Sequence, residues 1–502
     1  MKKLICALLA LIVFISFAAC SGSSGNQEIN GGGMLDTSET GGPGNDPAED
    51  TTIYYEPDEL PDNLDFGGET INVLQVTGSV FTGDILSEEL TSEPVNDSVF
   101  NRQKYVEDRL GIEITGATSD YEKYNELVLL QHASDDNTYQ IFSGSTVWYA
   151  PIVFDNCVTD LYELDYLDFE KPWWFKGFTE EAEMGGRLFL ATGSLSLSTN
   201  RFLFGVYYNK KLAEDYKPGN PDLGNLYEIV DGGSWTYDRM RSITSDIYSD
   251  LNGDSLEGED DIYGLGYFMD FPIDAVWSSF DMRILGRDED GWYSLDVNKD
   301  KVFGVLDLMT SLLFDDKGTF EGAASQELLE EKFAGGTLLF MVGQLKSAEN
   351  TALRNMQDDY GLIPFPKYDN AQKDYYTYAH DQYVSFSIPR TNPDPDTAAA
   401  VLEAMASFSY RDTIPKYLDT VIKGKYMSDA KSRRMVDLIV EGFRLDAGWI
   451  YSFKIGYFPQ YFRSAVADNS TSYASSFTRY YNQTKIGLAE IKKKYSAFWE
   501  EQ

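Results

Sequence analysis

The sequence predicts an α/β fold with a mostly parallel sheet, room for two lobes and a helix-rich C-terminal third. Three observations carry that prediction. Strand and helix patterns alternate at short intervals between residues 70 and 142. Further apolar strand runs, with helical stretches between them, recur between 186 and 388. About 440 residues remain once the first 63 are set aside, enough for two domains with a sizeable core.

The chain opens with Lys2 and Lys3, an apolar run over 4–17, and Ala18-Ala19-Cys20. A charged start, a short hydrophobic core and a small-residue cleavage site read as an export signal, excluded from the fold. The apolar run is too short and wrongly flanked for a membrane span. FAAC (17–20) also resembles a bacterial lipobox, which makes Cys20 the expected lipidation site; an ordinary signal peptide is the alternative. Residues 21–63 are rich in Gly, Ser, Asn, Pro and acidic groups. Such a stretch cannot bury enough apolar surface to offset chain entropy, so it reads as a disordered tether from a membrane anchor to the body.

The body begins with TINVLQV (70–76), β-branched strand material that ends at Thr77-Gly78-Ser79. Residues 94–110 carry Val95, Val99, Val106 and Leu110 at near-fourfold spacing, the pattern of an amphipathic helix, with Gly111 as its C-cap. A strand at 112–115, a helix at 121–133 and a strand starting at 140–142 follow. In a parallel sheet, ligands sit beyond the carboxyl ends of strands, which singles out Thr77, Ser79, Ser145 and Thr146. Further on, 186–190 leads into RFLFGVYYN (201–209), long apolar strand material able to cross between lobes. Thr236 reads as a helix N-cap. A helix at 326–334 and strands at 337–342 and 382–388 precede the helical C-terminal third.

Formal net charge is −40, from 81 acidic against 41 basic residues, which argues against nucleic acid as a partner. Of three cysteines, Cys6 lies in the signal and Cys20 is the expected anchor. Cys157 stands alone among Val153, Phe154 and Val158, so it reads as a buried inert thiol, and no internal disulfide is expected.

Six segments together resemble extracellular, family 1-like solute-binding lipoproteins of carbohydrate ABC transporters. They are YQIFSGSTVWYA (139–150), GRLFLATGSLSLSTNRFLFGVYYNKKL (186–212), GSWTYDRM (233–240), EKFAGGTLLFMVGQ (331–344), DYGLIPFPKYD (359–369) and YVSFSIPRTNPDPDTAAAVLEAMA (383–406). The resemblance implies a two-lobed type II periplasmic-binding fold with hinge crossovers near Ser198 and Asp381. One lobe would hold 64–197 and about 381–410, the other 198–380 and about 411–502. The lobes would close on a mono- or oligosaccharide and deliver it to ABC permease subunits. The protein would act as a monomer at the outer face of the cytoplasmic membrane. The resemblance also points to Trp148, Gln344, Asp381 and Gln382 as ligand contacts, and Asn200 is a further candidate.

Aromatic residues make up 14% of the chain, which suits sugar recognition, because pyranose rings offer C–H faces to aromatic planes. Trp277, with Asp274 close by, and Trp449 sit among polar residues and suit a pocket wall, as does the pair Trp173-Trp174; core packing is the alternative for each. The sharpest local motif is 250–261, DLNGDSLEGEDD. Its calcium-loop spacing offers Asp250, Asn252 and Asp254, the Leu256 carbonyl and Asp261 as ligands, with Gly258 acting through water. Ser255 replaces the glycine of that loop, and Asp261 the longer glutamate. A structural calcium ion or a solvated acidic loop both fit.

No catalytic cofactor is expected. His132 and His380 stand in no zinc motif, and no nucleophile elbow, P-loop or dinucleotide fingerprint is present. Acidic pairs such as Glu88-Glu89 arise by chance in so acidic a chain. The sequence thus expects a binding protein and no catalysis. A surface glycoside hydrolase or lyase, or a ligand-sensing lipoprotein, are the rival readings.

Overall fold

The computed structural model describes residues 56–78, 84–423, 430–470 and 473–499. Cys20, most of the expected tether and Ser79 lie outside the described residues. No helix of the described residues is long and apolar enough to cross a membrane.

The body starts earlier than composition suggests. Asp58 forms a 2.5 Å ion pair with Arg109, Leu60 is buried, and the Lys171 ammonium reaches Glu56 and Glu59 at 2.6 Å. Residues 56–63 are therefore fastened to the core by one apolar side chain and these ion pairs.

Strands β1 (Glu69–Thr77), β2 (Ile112–Asp120) and β3 (Ile141–Ser145) alternate with helices Pro94–Leu110 and Tyr121–Ser134. β1 runs parallel to both β2 and β3. Local signals set the helix ends. Pro94 opens the first helix, the Glu93 carboxylate accepts from the Asn96 amide at 2.8 Å, and Gly111 closes it at φ +62°.

Then come β4 (Phe204–Asn209), β5 (Tyr248–Ser249), β6 (Ile262–Gly266) and a short hairpin, β7 (Leu285–Arg287) with β8 (Tyr293–Leu295). β9 (Thr319–Phe320), β10 (Leu338–Gln344), β11 (Tyr360–Pro364) and β12 (Val384–Ser387) complete the strands. One sheet has the order β12-β3-β1-β2; the second is β11-β4-β10-β6-β5, with β9 on β6. β12 joins the first sheet antiparallel to β3, so the chain crosses between sheets and returns. The expected long strand at 201–209 is shorter: residues Leu197–Arg201 form a helical turn, and only Phe204–Asn209 pairs in the sheet.

The two crossing segments lie side by side. The Phe204 amide donates to the Tyr378 carbonyl and the His380 amide to the Phe202 carbonyl, both at 3.1 Å. Ala191 and Phe386 exchange amide bonds of 2.9 and 2.8 Å. Ser198 fastens both: its Oγ accepts from the Val384 amide at 3.0 Å and donates to Asp84, which also accepts from the Ser198 amide, each at 2.7 Å.

The C-terminal third is helical, with Pro395–Phe408, Ile414–Lys423, Ala430–Glu441, Phe458–Ala467 and Tyr473–Trp499 its longer helices. It does not stay with the second sheet. The Tyr451 hydroxyl donates to the Ala182 carbonyl at 3.0 Å, and the Ala447 amide to the Glu181 carboxylate at 3.1 Å. Helix Tyr473–Trp499 starts against Phe303 and ends with the Tyr495 hydroxyl on the Met184 carbonyl, 2.8 Å, and Lys494 on Asp155, 3.0 Å.

Candidate functional site

Where the crossovers pass between the sheets, a cavity of about 660 Å³ opens, a usual size for a small-molecule site. Phe202, Phe268 and Phe271 give it an apolar wall. The carboxyl end of β10 supplies Gln344, and the turn after it Lys346, Glu349 and Asn350; helix Gln326–Ala334 adds Gln326 and Glu330. A second cavity of about 280 Å³ shares His380, Gln382 and Arg463 with the first and adds Trp148, Asp381, Phe453 and Tyr457.

The polar groups are held before any ligand arrives. Arg463 donates from Nε to Asp274 at 3.0 Å, from Nη1 to Asp270 at 2.9 Å, and from Nη2 to Asp274. Burial lifts the Asp274 carboxyl above the ordinary range, against the pull of Arg463. The Tyr457 hydroxyl donates to Asp381 at 3.1 Å, and the His380 ring nitrogen stands 3.7 Å from the other oxygen of Asp381. Burial first, and Arg463 further, keep His380 below its usual value and hence neutral at physiological pH, although Asp381 opposes this. Tyr457 sits at φ +47°, a left-handed conformation that bulky residues rarely adopt.

Glu330 accepts from Ser347 Oγ at 2.5 Å and Asn350 Nδ2 at 2.6 Å. Gln326 donates to the Val342 carbonyl at 3.2 Å, while its Oε1 is buried with no partner. A buried acceptor without a donor is costly, and it suits a ligand hydroxyl.

The residues singled out by sequence separate into three groups. Trp148, Gln344, Asp381 and Gln382 line the cavities. Ser145, Thr146, Asn200 and Asp274 lie close by but are buried. The Ser145 and Thr146 hydroxyls donate to the Gln382 and Tyr383 carbonyls at 3.3 and 2.7 Å, so they sew the crossover in place. Trp277, Trp449 and Trp173-Trp174 are buried and line neither of these two cavities. Trp277 packs on Phe458 and Phe462, Trp449 on Tyr378, and both indole nitrogens of the Trp173-Trp174 pair donate to Glu403. Thr77 is exposed and borders a separate depression beside helix Pro94–Leu110. Cys157 is buried, and burial with Asp155 nearby pushes its thiol up to about 12.

Sequence reasoning missed Phe202, Phe271, Phe453, Tyr457 and Arg463. The aromatic-rich stretch 451–462 was the available signal for Phe453 and Tyr457; Arg463 directly follows it.

In the loop 250–261, Asp250 accepts from the Gly253 and Ser255 amides at 2.6 and 2.8 Å, and Ser255 takes φ +65° where a glycine was expected. Asp261 accepts from Tyr248, Leu251 and Gly258, and the Leu256 carbonyl from Tyr248 at 3.2 Å. Among the described residues no three His, Cys, Asp or Glu side chains gather as a metal site.

No protein-family model matches the chain, and no curated protein matches it. Solved structures do. A cyclo/maltodextrin-binding protein complexed with maltotetraose matches with a TM-score of 0.53 at 11% identity, over 86% of this chain and 98% of that one. The GacH receptor of Streptomyces glaucescens GLA.O, solved unliganded and with acarbose, matches at 0.52 and 12% identity, over 85% and 98%. Likeness at these identities is likeness of fold, and the chain has the two-lobed α/β fold of those binding proteins.

Proposed function

We propose that the protein is an extracellular solute-binding protein that captures a carbohydrate in the crevice at the crossovers and delivers it to an ABC importer. One observation carries this reading: Phe202, Phe268 and Phe271 line the larger cavity and Trp148, Phe453 and Tyr457 the smaller, together with amide and carboxylate groups already held by hydrogen bonds. Sugar recognition needs stacking faces and directional partners for hydroxyls together. The carbohydrate ligands of the two similar structures support it. The FAAC motif at 17–20 and the polar stretch after it support a lipid anchor at Cys20. The calcium-loop spacing and the turn at Ser255 support a structural ion at 250–261, although Asp261 is already engaged by Tyr248 and two amides.

Trp148, at the cavity, makes indole fluorescence a direct reporter. Titration of purified protein against a panel of neutral glycans should saturate for one series with no release of reducing ends. Binding of another ligand class and of no sugar removes the carbohydrate; turnover of a bound glycan removes the transport reading.

A further inference from the structure

Tyr121, Trp148, Phe453 and Tyr457 form a continuous run of rings. Successive centroids are 5.2, 4.5 and 4.9 Å apart, and successive planes tilt by 44°, 47° and 57°. Three separate chain segments supply them: the start of helix Tyr121–Ser134, the turn Thr146–Tyr149 and residues 453–457. Tyr121, Trp148 and Phe453 are 43, 38 and 37% exposed, and Tyr457 is half-buried with its hydroxyl on Asp381. Trp148, Phe453 and Tyr457 line the smaller cavity, whereas Tyr121 lies beyond it. The run therefore begins outside the crevice and ends inside it.

Core packing does not account for rings left this open, and a contiguous apolar surface at a cavity mouth marks an interaction site. The backbone that carries two of the rings is held in place: Asn125 donates to the Trp148 carbonyl at 2.7 Å, and the Tyr457 amide donates to the Ser452 carbonyl at 2.7 Å.

We propose that this run is an outer subsite continuous with the crevice, and that the ligand is a linear neutral oligosaccharide whose far rings rest on Tyr121 and Trp148. The inference rests on the carbohydrate reading and adds chain length, charge and an exterior contact to it. The larger cavity has room for a monosaccharide, and none of the four rings lines it. A bent series of separate faces suits the separate rings of a sugar chain. Asp120 and Glu122 flank Tyr121 in a chain of net charge −40, which disfavours an anionic glycan there.

The test is calorimetric titration of the protein with malto-, cello-, xylo- and manno-oligosaccharides, from monosaccharide to hexasaccharide. For the series that binds, affinity should rise with length. Tyr121→Ala should weaken the longest member about tenfold and leave the disaccharide within about twofold, while Tyr121→Phe should restore the long-chain affinity. Far-UV circular dichroism confirms that each variant is folded. Equal affinity at all lengths, or an equal loss for short and long chains, overturns the outer subsite while carbohydrate binding stands. Failure of every series to bind overturns both.

Discussion

Glu403 accepts the indole N–H groups of Trp173 and Trp174 at 3.1 and 2.8 Å in a site closed to water. Burial outweighs these donors and pushes its carboxyl up to about 7. Burial likewise lifts Asp446 to about 7 and Asp84 to about 6. Each folded value lies above the unfolded one, so the stability these groups contribute is complete below about pH 4 and is lost as pH rises through 6 and 7. The melting temperature should accordingly be higher at pH 5 than at pH 8, with a loss on the order of 1–3 kcal/mol per group. Glu403→Gln should lower the melting temperature at pH 5, because each indole bonds a different carboxyl oxygen and the amide NH2 that replaces one of them cannot accept, and should flatten the pH slope. A wild-type profile that climbs toward pH 8 contradicts this. At this scale the sequence was only partly readable. Trp148 and Trp277 both sit among mixed neighbours in the chain, yet one borders the cavity and the other packs between Phe458 and Phe462. An indole serves a core and a pocket wall equally well, and partners almost two hundred residues away decide between them.

Elements were far more legible than residues, because caps and turns are local. Pro94 and Gly111 bound a helix at the expected ends, and helix Gln326–Ala334 also spans the expected residues. The apolar run at 201–209 misled, since its first residues belong to a turn spent on the crossover. That crossover packs tightly. A Cβ at Gly193 would stand 2.1 Å from the Trp173 carbonyl oxygen, a backbone atom with no freedom to yield. Gly193→Ala should cost about 3 kcal/mol in chemical denaturation and weaken ligand binding with it. A variant of wild-type stability shows that the crossover can shift. The loop 250–261 makes the complementary prediction. If it holds calcium, adding calcium after chelation should raise the melting temperature, and Asp250→Ala should abolish the rise. An unchanged melting curve leaves an acidic loop closed by its own amides.

The whole molecule differs most from what the order of segments along the chain suggests. Residues 411–502 follow the second sheet in sequence, yet Tyr451, Lys494 and Tyr495 contact Ala182, Asp155 and Met184 on the side of the first. Periodicity shows that helix Tyr473–Trp499 exists but not which surface its apolar face meets. The consequence is mechanical: the halves are joined by two hydrogen-bonded crossovers and by a helix that begins on Phe303 and ends on Met184. Two lobes linked by crossovers alone could melt separately. Here, loss of either half removes packing from the other, and the described residues from 56 onward group as one compact unit. Calorimetry should therefore show one transition with equal calorimetric and van't Hoff enthalpies. Tyr495→Ala removes the hydroxyl on Met184 and the ring against Phe189 and Trp292. It should lower that single transition or split it in two, the lower step reporting release of the helix. Two resolved transitions in the unmodified protein, each unmoved by Tyr495→Ala, would show that the helix does not couple the halves and that they open and unfold independently.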